Sequence, residues 1–320
     1  MAKVIIVTGA TGKQGSSIIS SLLSTAADTN LKILAVTRDP TSTGSEKLAQ
    51  KSSKIKVIQG DLNDPESIFR SASAHLDLNK PQIHGLFSVQ LPAGLGTSAL
   101  TEETQGKQLI DAALAHGVQH FVYSSVERGG SGAAHPLGSN PTEVPHFTTK
   151  ANIERHLAEK TTGAGSKMTY TVLRPVCFYE NLTPDTLGKV FATAWQASVS
   201  ADTKLQFVST ADIGFFGAQA FLNPEAAEYR DRAIGLAGDE LTFDEANAVF
   251  AEKVGSPIPT TFGFLVKGML WAVGEFGLMF RWFDDVGFKA DVGACRKLNP
   301  SMLDFGTWLV EKSKFETIKA

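Results

Sequence analysis

Val4-Ile5-Ile6-Val7-Thr8-Gly9-Ala10-Thr11-Gly12-Lys13-Gln14-Gly15 is the stretch that decides the fold. A β-branched run breaks directly into glycines at three-residue spacing, and a helical apolar pattern (Ile18, Ile19, Leu22, Leu23) follows. Gly9 permits a tight turn out of the strand, Gly12 lets backbone N–H groups approach a pyrophosphate, and Gly15 lets the helix pack closely. The unpaired N–H groups and the dipole at the helix start favour an anion there. The stretch therefore reads as a dinucleotide-binding turn, with Thr11, Lys13 and Gln14 presented among the glycines.

Working outward, strands and helices alternate. Lys32–Thr37, Lys54–Gln59, Ile83–Val89, His120–Ser125 and Met168–Leu173 read as strands. Gly12–Thr25, Asp64–Ala74, Leu100–His116 and Phe147–Thr161 read as the helices between them. Such alternation predicts an α/β fold, a Rossmann-like doubly wound parallel sheet with ligands at the strands' C-terminal ends. After Pro175 the alternation weakens: Leu205–Ser209 and Ala233–Leu236 look like short strands, and Thr242-Phe243-Asp244-Glu245 is a capping box opening a helix to about Val254. The expected division is a dinucleotide-binding domain over 1–175 and a smaller mixed α/β domain for substrate or partner over 176–320. The loop Arg128–Pro145 is long and rich in Gly, Ser and Pro, a pattern more often functional than merely connective.

With 320 residues, 42% hydrophobic content and a net charge of -3, the chain has ample core and no bulk charge for gripping nucleic acid. Cys177 and Cys295 stand far apart, without metal-ligand spacing, so we expect no metal and two reduced thiols in a cytoplasmic protein. No secretory signal precedes the first strand. Phe262–Phe283 is apolar, but Lys267, Glu275, Arg281 and four glycines interrupt it. It reads as one or two buried or interface helices rather than a membrane span, and leaves a homodimer open.

Cofactor choice is expected at Thr37-Arg38-Asp39. Arg38 can stack on adenine and pair with a 2′-phosphate, with Lys13 as a second positive group, whereas Asp39 could accept from a ribose. The reading favours NADP, with NAD as the alternative. Asp61 can accept the adenine amino group while Leu62 covers the ring, although Asp61 could equally cap the next helix. Ser88 and Gln90 end the fourth strand along the cofactor's path. Ser124 and Ser125 end the fifth. His146 and Lys150, four residues apart, share one helix face. Short-chain dehydrogenases carry a Tyr four before a Lys at such a place; here the Tyr position is His146, which can still transfer protons or simply contact the cofactor.

On these residues the sequence resembles the NmrA-like family of atypical short-chain dehydrogenases, over nearly the whole chain. Further markers are Arg174-Pro175, Phe178-Tyr179-Glu180-Asn181, Met279-Phe280-Arg281-Trp282-Phe283 and Asn299-Pro300 with Trp308-Leu309. The resemblance implies a Rossmann domain with a smaller C-terminal domain, Lys150 as the family lysine, and Asn181 beside the nicotinamide. It also implies two functions. In one, an NAD(P)-binding redox sensor acts through partner proteins such as fungal nitrogen-control transcription factors, in the cytoplasm or nucleus. In the other, an NADPH-dependent reductase acts on an apolar quinone, enone or carbonyl. On our reading of the residues, catalytic Lys150 would then orient the cofactor, His146 or a water would donate the proton, and Phe147, Phe178, Tyr179 and the late aromatics would line a pocket.

Overall fold

The computed structural model describes residues 3–25, 30–77, 82–91, 98–130, 136–139, 142–162, 167–272 and 274–318. The first half runs β1 (Lys3–Val7), α1 (Lys13–Thr25), β2 (Leu31–Thr37), α2 (Thr43–Gln50), β3 (Ile55–Gln59), α3 (Pro65–Ser73), β4 (Gly85–Ser88), α4 (Ala99–Ala115), β5 (His120–Ser124), α5 (Pro145–Thr161) and β6 (Thr169–Pro175). The second half adds β7 (Cys177–Phe178), a 3-10 turn (Tyr179–Asn181), α6 (Thr186–Ser198), β8 (Leu205–Val208), α7 (Thr210–Leu222), β9 (Arg232–Leu236), β10 (Asp239–Leu241) and α8 (Phe243–Val254). It closes with α9 (Gly263–Ala272), α10 (Gly274–Asp285), α11 (Val292–Leu298) and α12 (Phe305–Glu311).

The large sheet has seven strands in the order β3-β2-β1-β4-β5-β6-β9, every pair parallel. The order reverses between β1 and β4, which opens a ligand crevice at the strands' carboxyl ends. Strands buried on both faces read as continuous apolar runs. Ile5, Val7, Ile33 and Phe87 face α1 and α7, while Ile6, Leu34, Leu86 and Phe121 face α3, α4 and α5. A three-stranded mixed sheet, β10-β8-β7, lies beside it.

The sheet class and the alternation agree with the sequence reading, and some elements differ. The fourth strand is shorter than Ile83–Val89, pairing only over Gly85–Ser88. The helix α2 goes beyond the sequence reading: only Ser45 and Leu48 of its eight residues are buried, so it carries little apolar content. Its start is fixed by Ser42, whose hydroxyl accepts from Ser45 N. The capping box forms as expected, and α8 ends on Gly255 at φ 83°.

Two elements after Pro175 return to the large sheet. β9 extends its edge, and α7 packs on α1 through Gly214 and Gly217. A Cβ at Gly214 would lie 2.6 Å from the Ser17 backbone, and one at Gly217 would lie 2.7 Å from Ile18. The apolar stretch 262–283 forms α9 and α10; Phe280 and Phe283 are buried, while Phe262 and Phe264 are exposed. Among the described residues no helix is long and apolar enough to cross a membrane.

Candidate functional site

The glycine turn sits at the carboxyl end of β1. Gly9 takes φ +58°, and Gly12 N donates to Gly9 O at 2.9 Å, closing the turn. A Cβ at Gly15 would lie 2.3 Å from Gly9 O, so a side chain there would push α1 off the strand. Thr11, Gly12 and Lys13 are exposed, and the first turn of a helix has N–H groups with no partner inside the helix. Thr8 ties this end to β4: its hydroxyl donates to Phe87 O and accepts from Val89 N.

Just beyond β2, Arg38 is exposed, and among the described residues its guanidinium has no hydrogen-bond or ionic partner. The Asp39 carboxylate is taken up locally, accepting Thr41 N at 2.9 Å and Thr41 Oγ1 at 2.6 Å, bonds that hold it below its ordinary pKa. Lys13 is exposed at the start of α1. Its ammonium donates to Glu180 O at 2.9 Å, towards the 3-10 turn that also carries the half-buried Asn181. Asp61 closes a turn by accepting Asn63 N at 2.9 Å and does not cap α3, whose N-cap is Asp64; Leu62 is half-buried against the core.

Between these ends lies a polar floor. Ser88 and Gln90 are buried, Gln90 Nε2 donates to Ser88 Oγ at 2.9 Å, and Gln90 Oε1 has no partner among the described residues. A buried acceptor left unpaired is a position where a ligand donor fits. Gln14 crosses from α1 to accept Ser124 Oγ at 2.6 Å. A glycine cradle that side chains would fill, an orphaned acceptor and an uncommitted guanidinium together fit a dinucleotide.

The helix α5 supplies the ionisable face. Pro145 opens it, a position where its missing N–H is not needed. His146, Lys150 and Glu154 then recur every fourth residue along one side. Lys150 Nζ donates to Ser124 O at 3.3 Å and stands 3.2 Å from Glu102 Oε1, with Glu102 fully buried on α4. His146 Nδ1 meets Glu275 Oε1 at 2.9 Å, and the same oxygen accepts His146 N. Burial, then the nearby Lys150 ammonium, pushes His146 down to about 4 despite an opposing pull from Glu102. Burial raises Glu275, against the His146 backbone bond. The imidazole is thus neutral at pH 7, its proton assigned to Nδ1 by the carboxylate and its Nε2 left as an acceptor.

Glu154 takes Arg128 at 2.8 Å and Arg174 at 2.7 Å, all three buried, and also accepts Gly138 N. Arg128 and Arg174 reach on to Ser139 O and Pro136 O, so this cluster anchors the loop that follows β5. Of that loop, residues 131–135 and 140–141 lie outside the described residues. Glu127 accepts Gly129 N and Gly130 N at the loop's start and Lys289 N from beyond α10.

The late aromatic markers are core. Tyr179 is buried and stacked among Phe207, Phe305 and Trp308. The Glu180 carboxylate caps α7 through Thr210 N and also accepts Trp308 Nε1. Asn299 donates to the buried Asp212, which burial pushes up to about 7. Phe147, also buried, meets Trp282 edge-on with centroids 5.0 Å apart. Of the expected pocket aromatics, Phe147 and Tyr179 are therefore closed off, and Phe178 is half-buried. Sequence reasoning missed Glu102, Glu127, Glu154 and Glu275. Only Glu154 carried a signal, its four-residue step from Lys150.

Residues 1–310 match the model of the NmrA-like family. The NmrA-like family domain-containing oxidoreductase ptmS of Penicillium ochrochloron is 29% identical over 181 residues, covering 56% of this chain and about half of that protein, 48%. The oxidoreductase FrzB of Cladobotryum sp, of the same family, is 27% identical over 275 residues, covering 80% and 74%. Among solved structures, Nmra, a negative transcriptional regulator in complex with NAD, superposes with a TM-score of 0.67 at 18% identity, covering 98% of this chain and 95% of that one. The NADPH-dependent quinone oxidoreductase QOR2 of Escherichia coli, complexed with NADPH, gives 0.64 at 22% identity, covering 95% and 97%.

Proposed function

The chain belongs to the NmrA-like family, and from that premise we propose that it binds a nicotinamide dinucleotide, NADP in preference to NAD, and works as a redox-sensing regulator through a protein partner. The pyrophosphate would rest on the Gly9–Gly15 turn, with Thr11, Lys13 and Gln14 around it. Arg38 would pair with the 2′-phosphate, and Asp61 and Leu62 would flank the adenine. Ser88, Gln90, Lys150 and Asn181 would border the nicotinamide end. The preference for NADP rests on Arg38 standing free beside an Asp39 already occupied by Thr41.

One observation carries the regulatory reading. Where short-chain dehydrogenases keep a proton-donating Tyr, His146 holds its Nδ1 2.9 Å from Glu275 Oε1, an arrangement that favours the tautomer with a lone pair at Nε2. In that tautomer no proton faces a carbonyl from Nε2. The same bond joins the cofactor end of α5 to α10, and Glu127 joins the β5 loop to Lys289. Dinucleotide occupancy would shift these contacts and with them the surface that exposes Phe262 and Phe264. Sensing needs only different affinities in two conformations.

The reductase reading keeps a specific support: relatives of the chain are named oxidoreductases, and Lys150 would then act on the cofactor, with His146 or water completing proton transfer. NADPH oxidation across a panel of quinones and enones, with Lys150→Ala as control, separates the two. Regulation predicts dinucleotide binding with turnover no greater than in the variant. Robust turnover that Lys150→Ala abolishes would overturn it.

A further inference from the structure

We propose that Glu102 is a specificity-determining residue of the dinucleotide site: its buried carboxylate holds and neutralises the Lys150 ammonium, and so sets how the site ranks oxidised against reduced dinucleotide. The inference rests on the dinucleotide reading above. Glu102 lies in the first turn of α4 and is 0% exposed. One of its oxygens stands 3.2 Å from Lys150 Nζ, and the other accepts the hydroxyl of the adjacent Thr149 at 3.3 Å. Both neighbours on α5 are thereby fixed by one carboxylate.

The pair adjoins the proposed dinucleotide site. Lys150 reaches the carbonyl of Ser124, the last residue of β5, and the Ser124 hydroxyl bonds to Gln14 beside the glycine turn. Lys150 is 7% exposed, and its ammonium lies 5.7 Å from the Tyr123 ring centroid. Little solvent screens it, so a charge here acts over several ångströms. An oxidised nicotinamide ring carries a formal positive charge, and the reduced ring carries none. A neutral Lys150–Glu102 pair does not penalise the oxidised ring. Lys150 alone would repel it, and Glu102 alone would attract it. A merely structural pair would weaken both forms together when broken.

The test measures dissociation constants for NADP+ and NADPH by calorimetry, with thermal melts, for the parent, Glu102→Gln, Lys150→Met and the double variant. The ratio of the NADP+ to the NADPH constant is expected to rise about tenfold in Glu102→Gln and to fall about tenfold in Lys150→Met, the scale of one charge across a partly buried site. In the double variant it returns to within about threefold of the parent. Should Glu102→Gln fail to fold, the fall in Lys150→Met and its reversal in the double variant carry the same sign test. A parent that binds both forms, with a ratio unmoved by Lys150→Met, overturns the role of Glu102 alone. A parent that binds neither overturns the dinucleotide reading and this inference with it.

Discussion

Replacing Glu154 with Gln removes the shared counter-charge of two buried guanidiniums. Burial raises the Glu154 pKa, but Arg128 and Arg174 outweigh it and hold the carboxyl at about 2, from an ordinary 4.5. A depression of that size corresponds to about 3 kcal/mol of folding stability at neutral pH, each pKa unit being worth about 1.4 kcal/mol. Breaking a buried ion pair by removing one partner costs a similar roughly 3–5 kcal/mol. The sign is fixed by linkage. Because the folded pKa is depressed, the contribution is complete above about 4.5 and is lost as pH falls towards 2. Urea denaturation at pH 7 should therefore show Glu154→Gln less stable by about 3 kcal/mol or more. The gap should narrow steadily in buffers below pH 4.5, as the parent's carboxyl takes up the proton that Gln mimics. Equal stability at pH 7, or a gap that does not narrow with acid, would refute the argument that these charges anchor the loop after β5.

Arg38→Ala should weaken NADP+ binding about tenfold or more and leave NAD+ nearly unchanged, since only the 2′-phosphate pair is lost; calorimetry with both cofactors checks this. The His146 imidazole should titrate near 4, not near its ordinary 6.5, in an NMR pH series. Its lowered folded pKa means stability is full above 6.5 and declines as pH falls through that interval, a decline that His146→Gln should flatten. Gly214→Val should destabilise the fold by about 1–3 kcal/mol or more in urea melts, because its Cβ would meet the Ser17 backbone at 2.6 Å and force α7 from α1.

The large sheet was legible because its signals are local. The run Val4–Thr8 and the glycines after it lie within one turn of each other, and each buried strand is a contiguous apolar stretch. The helix α2 was hidden because it buries almost nothing, and β7 and β10 because two or three residues carry no period. The glycine turn of the candidate site was legible, and the charges around it much less so. Glu275 reaches His146 from 129 residues away, Glu102 lies 48 residues before Lys150, and Arg128 and Arg174 flank Glu154 by 26 and 20 residues. Chain separation of that kind leaves no periodic trace. The bond from Lys13, read as a second positive group near Arg38, to Glu180 O spans 167 residues and is hidden for the same reason.

Calorimetric titration of the intact chain with NADP+ and with NAD+, at fixed pH and salt, decides whether the glycine turn holds a dinucleotide. Saturable binding at a single site is expected, tighter for NADP+, with that advantage removed in Arg38→Ala. Absence of saturable binding of either dinucleotide by the folded chain would contradict it.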